Sequence, residues 1–95
     1  MYVRVVRFTD VSADRIEGTV ARIKAAGGPP PGVRSTGIQI LVDEAQRTAV
    51  VLQHFETAED MAESARVFSA MDSDETPGTR ATVDTCEMKF EIHPS

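Results

Sequence analysis

Six segments of differing hydrophobic period follow one another in the order strand, helix, strand, strand, helix, strand, and they use nearly all of the 95 residues. Tyr2 to Thr9 is rich in β-branched and aromatic residues that alternate between two faces, Tyr2, Arg4, Val6 and Phe8 on one and Val3, Val5 and Arg7 on the other. A helix follows, with Ser12 as its cap, Ile16, Val20 and Ile23 recurring at helical spacing, and Gly27 placed to end it. The run from Gly28 to Gly32, with three consecutive prolines, cannot extend it. A second strand is predicted from about Arg34 to Asp43, with Ile38, Ile40 and Val42 in one phase. The polar connector Asp43 to Gln46 has hairpin length, so Arg47 to Glu56 should return antiparallel. Thr57 reads as the cap of a second helix buried through Met61, Ala65, Phe68 and Met71, and Asp72 to Gly78 reads as an acidic surface loop. A last strand is predicted from about Arg80 to His93, with Cys86, Met88, Phe90 and Ile92 in phase.

This order predicts a single α+β domain over residues 1–95, the ferredoxin-like βαββαβ arrangement: a four-stranded antiparallel sheet with two helices on one face. With one face covered and the other wet, each strand should alternate apolar and polar residues. The strands depart from that. Val3 and Val5 lie opposite Val6 and Phe8, and Val50 and Leu52 lie opposite Ala49, Val51 and Phe55. Two helices can cover only one apolar face, so the other should be covered from outside, most simply by a second copy packed sheet to sheet as a homodimeric α/β barrel.

Charge and cysteine count exclude several function classes. A net charge of −5 repels phosphate backbones and anionic lipid, which argues against nucleic-acid and membrane partners. No apolar run approaches the ~20 residues needed to span a bilayer. Met1 leads directly into a strand, so a cytoplasmic location is expected. The single cysteine excludes an intrachain disulfide and any multi-cysteine metal cluster. No cofactor is expected.

Four segments together resemble the dimeric α/β barrel proteins related to antibiotic biosynthesis monooxygenases, in particular their small uncharacterised members. They are Pro31-Gly32-Val33 leading into the second strand, Leu41-Val42-Asp43 before the turn, Phe55-Glu56-Thr57-Ala58-Glu59-Asp60-Met61 at the junction of third strand and second helix, and Thr82-Val83-Asp84-Thr85-Cys86-Glu87 in the last strand. The resemblance implies the fold, the homodimer and a small-molecule pocket, with cofactor-independent monooxygenase-like or isomerase-like chemistry on a hydrophobic or aromatic metabolite. The chain departs from the family's active members in having no tryptophan and no asparagine. Phe55 stands where many have tryptophan and Cys86 where many have tyrosine.

The candidate residues sort by chemistry. His54, with an ordinary pKa near 6.5, is the catalytic candidate as a general base; its phase with Val50 and Leu52 equally suits a packed residue at an interface. Arg4, Arg7 and Arg34 could bind a carboxylate or phenolate. Cys86, beside Asp84 and Glu87, reads as a small core side chain, because acidic neighbours raise a thiol pKa. Tyr2, the only phenol, and the near-terminal His93 offer little to a precise site. The loop Gly27 to Gly32 lacks the spacing and the N–H groups of a phosphate loop. The expected pocket lies between sheet and helices, with Arg4, Met61, Phe68 and Met88 as ligand-binding residues and His54 as base. The alternative function is a non-catalytic homodimeric binding or structural module.

Overall fold

The computed structural model describes residues 1–70 and 76–94. The order is β1 (Tyr2–Thr9), α1 (Ala13–Ala26), β2 (Gly37–Asp43), β3 (Thr48–Phe55), α2 (Ala58–Ser69) and β4 (Thr79–Glu87). The strands form one antiparallel sheet in the order β2-β3-β1-β4, the ferredoxin-like arrangement the periodicities predict. Both caps form as expected: the Ser12 hydroxyl accepts from Arg15 N, and Thr57 Oγ1 from Asp60 N at 3.0 Å. Gly27 ends α1 with φ of 70°, a left-handed conformation that glycine adopts without steric cost.

Register decides which residues share a face, because paired residues on neighbouring strands point the same way. Val6 pairs with Val51 and Val83, Arg4 with Gln53 and Thr85, and Tyr2 with Phe55; this row faces the helices. Two apolar clusters fill the layer. Val6, Phe8, Val11, Ala49 and Val51 pack with Ile16 of α1 and Ile40 of β2. Val33, Phe55, Met61 and Phe68 pack with Tyr2 and Val67, fixing α2 over β1 and β3. The helices do not reach the sheet's edges: Ile38 and Val42 on β2 and Val83 on β4 point to this side yet stay exposed.

The opposite face presents Val3, Val5, Val50, Leu52 and Leu41, together with His54 and Cys86. Leu41 is 55 % exposed, and Val5, Val50 and Leu52 are half-buried by one another rather than by a second layer. Apolar side chains therefore occupy both faces, as the strand patterns require. Cys86 is exposed here, which corrects its reading as a core side chain.

Four further expectations are corrected. The second strand starts at Gly37 instead of Arg34, because Ser35 Oγ donates to Gly37 O at 2.8 Å and Arg34 N donates to Ser64 Oγ of α2 at 3.2 Å, drawing the segment off the ladder. The last strand stops at Glu87 instead of His93. Its final backbone bond to the β1 segment runs from Met88 N to Met1 O at 2.8 Å, and Phe90 and Ile92 beyond it are 78 % and 70 % exposed. In α1 it is Thr19 that is buried, its hydroxyl bonded to Arg15 O at 2.8 Å, while Ile16, Val20 and Ile23 are half-buried. Within the expected surface loop, Pro77 and Gly78 are buried: a Cβ on Gly78 would collide with the Thr9 carbonyl oxygen and lie 2.9 Å from Val11 Cγ2. The rest of that loop, and Met71, lie outside the described residues.

Candidate functional site

β1 is the centre of the sheet, flanked by β3 and β4, so its helix-facing residues are removed from water by strands on both sides and helices above. Arg4 occupies one of those positions and is only 3 % exposed. Its Nη1 donates to Gln53 Oε1 at 2.9 Å, and its Cζ lies 4.8 Å from the centre of the Phe68 ring, a cation–π contact with α2. Its Nε has no hydrogen-bond partner. Among the described residues no carboxylate pairs with it.

A second cation stands nearby. Arg80, at the start of β4, donates from Nη2 to the Phe68 carbonyl at 3.2 Å, satisfying one of the open carbonyls at the C-terminal end of α2. Burial in the apolar layer, and secondarily the positive charge of Arg80, lower the Arg4 pKa to about 10. Arg4 remains charged at neutral pH, in a place that disfavours charge.

Of the sequence-predicted binding residues, Arg4, Met61 and Phe68 share this helix-facing layer, with Met61 and Phe68 in one buried cluster. His54 and Met88 lie elsewhere. His54 pairs with Val3 and Gly37 on the opposite face, where its Nε2 is 3.1 Å from Gln39 Oε1. Met88 lies just past the end of β4, with its N–H bonded to the Met1 carbonyl at 2.8 Å. The expectation of one pocket holding all five residues is corrected by the register: a one-residue offset along a strand reverses the face. Arg7 points to the open face, and Arg34 is exposed with Asp60 Oδ1 3.8 Å away. His93 pairs with Glu91 at 2.8 Å on the surface.

Gln53 and Arg80 were not anticipated. Gln53 left a signal: it is a polar residue in phase with Val51 and Phe55 in an otherwise apolar strand, and such a residue needs a buried partner. Arg80 left none, since its role depends on where the end of α2 falls. Along α1 a hollow of about 340 Å³ opens, lined by Ile16, Glu17, Val20, Ala21 and Lys24. Ile16, part of its wall, also packs on the sheet core. Among the described residues no group of three or more His, Cys, Asp or Glu side chains is placed to hold a metal ion, and no helix is long and apolar enough to cross a membrane.

No protein-family model matches the chain, and no curated protein is significantly similar to it. A solved structure is similar: a mutant of MhuD with two manganese protoporphyrin IX molecules bound per active site. The two superpose with a TM-score of 0.61 over 99 % of this chain and 100 % of that one, at 15 % sequence identity. The likeness is one of fold, and it agrees with the fold that the dimeric α/β barrel resemblance implied.

Proposed function

We propose that this chain is a small-molecule-binding protein that takes a hydrophobic or aromatic metabolite against its helix-covered sheet face, and that it works as a homodimer joined through the opposite face. The observation that carries the binding reading is the hollow along α1, lined by Ile16, Glu17, Val20, Ala21 and Lys24 of that helix. The similarity to MhuD supports it, since a chain of the same fold holds two flat aromatic macrocycles per active site. The dimer reading is supported by the apolar open face, for which a self-complementary sheet packing is the simplest cover.

Binding is favoured over turnover. His54, the general-base candidate, lies on the face away from the hollow, so it does not serve a monooxygenase-like or isomerase-like step there. The test is a thermal-shift screen with manganese protoporphyrin IX and a panel of neutral and charged aromatic metabolites, run beside light scattering at low micromolar concentration. A ligand that raises the melting temperature and a mass of two chains are expected. A panel without effect sinks the binding reading, and a monomer sinks the dimer.

A further inference from the structure

Arg4 combines three properties that ordinary packing does not require. It is a nearly fully buried cation in β1, it has no acidic partner among the described residues, and it sits beside a second cation, Arg80. A buried charge is normally paired, because an unpaired one forfeits its hydration. Gln53 and the Phe68 ring supply part of what is lost, but only to one nitrogen and one face of the guanidinium.

The geometry of what remains is specific. Gln53 takes Nη1, which leaves Nε–H and the Nη2 group beside it, the two donors along one edge of the planar fork, without a hydrogen bond among the described residues. That edge presents two parallel N–H vectors at the spacing of the two oxygens of a carboxylate. The ring of Phe68 fixes the plane of the fork and Gln53 fixes its rotation, so the edge is oriented before any ligand arrives. Arg80 is tied to the end of α2, which places a second positive charge close enough to depress the Arg4 pKa.

Building on the proposed binding of a small molecule to the helix-covered sheet face, we infer that the ligand is an organic carboxylate, whose two oxygens bind the Nε–Nη2 edge of Arg4, a residue apart from the α1 side chains that line the hollow, while Arg80 supplies the second positive charge. An anion placed there would reverse the local repulsion between the two arginines and give the orphaned Nε–H its partner. The apolar surroundings, Phe68 and Met61 among them, call for an aromatic or aliphatic body behind the carboxylate. An inorganic anion, which keeps most of its hydration, is a poor match to that layer.

Two isosteric probes separate charge from hydrophobicity: 2-naphthoate and the neutral 2-naphthamide, titrated into the full chain by calorimetry and by ¹H–¹⁵N spectra of the arginine Nε–H groups. The expected result is at least tenfold tighter binding of naphthoate, with the Arg4 Nε–H resonance shifting on its addition and staying in place with naphthamide. Arg80→Gln, a change at an exposed position that leaves the core intact, should weaken naphthoate about fivefold and leave naphthamide unchanged. Equal affinities, or naphthoate binding with an unmoved Arg4 resonance, overturn the carboxylate assignment while the hydrophobic site survives. If neither probe binds and no compound of the thermal panel does, the site itself is refuted, and this inference with it.

Discussion

The strongest test of a buried arginine with no acidic partner among the described residues is to remove it, and the double variant Arg4→Met, Gln53→Leu should make the ligand-free protein more stable. The lowering of the Arg4 pKa to about 10 means that the fold disfavours the charged guanidinium by roughly 3 kcal/mol, at ~1.4 kcal/mol per unit. Losing the cation–π contact with Phe68 returns ~0.5–2 kcal/mol of that, partly replaced by a methionine sulfur against the same ring. Removing both partners of the Arg4–Gln53 hydrogen bond together is close to neutral, because no buried polar atom is stranded. The net expectation is a gain of about 1–2 kcal/mol, which in a domain of this size raises the melting temperature by ~4–15 °C. Arg4→Met alone strands Gln53 Oε1 at a cost of ~1–3 kcal/mol and should fall at or below wild type.

The sign with pH follows from the direction of the shift. The folded-state pKa lies below the unfolded one, so the penalty on wild type is complete below pH 10 and fades as pH rises above about 10. Urea melts at pH 7 and pH 10.5 should therefore show the double variant's advantage shrinking at the higher pH. A double variant less stable than wild type by more than ~1 kcal/mol at pH 7 would refute the reasoning, as would an advantage that does not change with pH.

Three further outcomes can be checked. Gly78→Ala should cost about 2 kcal/mol or more in a urea melt, because its methyl group would meet the Thr9 carbonyl oxygen and Val11, and neither the backbone of β1 nor the core can move aside; a cost under ~0.5 kcal/mol would contradict the close approach. Leu52→Lys, in the middle of the open face, should convert a dimer to a monomer in light scattering while circular dichroism keeps its helix signal, and an unchanged mass would move the interface elsewhere. His54→Ala should leave the thermal shift produced by any bound metabolite unaltered, since His54 lies on the other side of the sheet; loss of that shift would place the ligand on the open face.

Much of the architecture was legible because its signals are local. Hydrophobic period distinguishes a strand from a helix within a few residues, and Ser12, Thr57 and Gly27 mark helix ends through bonds and angles reaching no further than three positions along the chain. The same alternation showed that both sheet faces are apolar and so pointed to a covering partner. That Arg4, Met61 and Phe68 share the helix-facing layer was legible from their phase in β1 and α2. Grouping them with His54 and Met88 was not supportable from phase within separate strands, because the face a residue takes depends on register between strands.

What the sequence alone determined is therefore the succession of elements, their caps and the surplus of apolar surface. The tertiary structure decided where β2 begins, where β4 stops pairing with β1, why Gly78 admits no side chain, and that Arg4 lies buried beside Gln53, Phe68 and Arg80. These depend on residues separated by tens of positions, and the free energy of a buried charge is set by what those distant residues place around it, which no local pattern records.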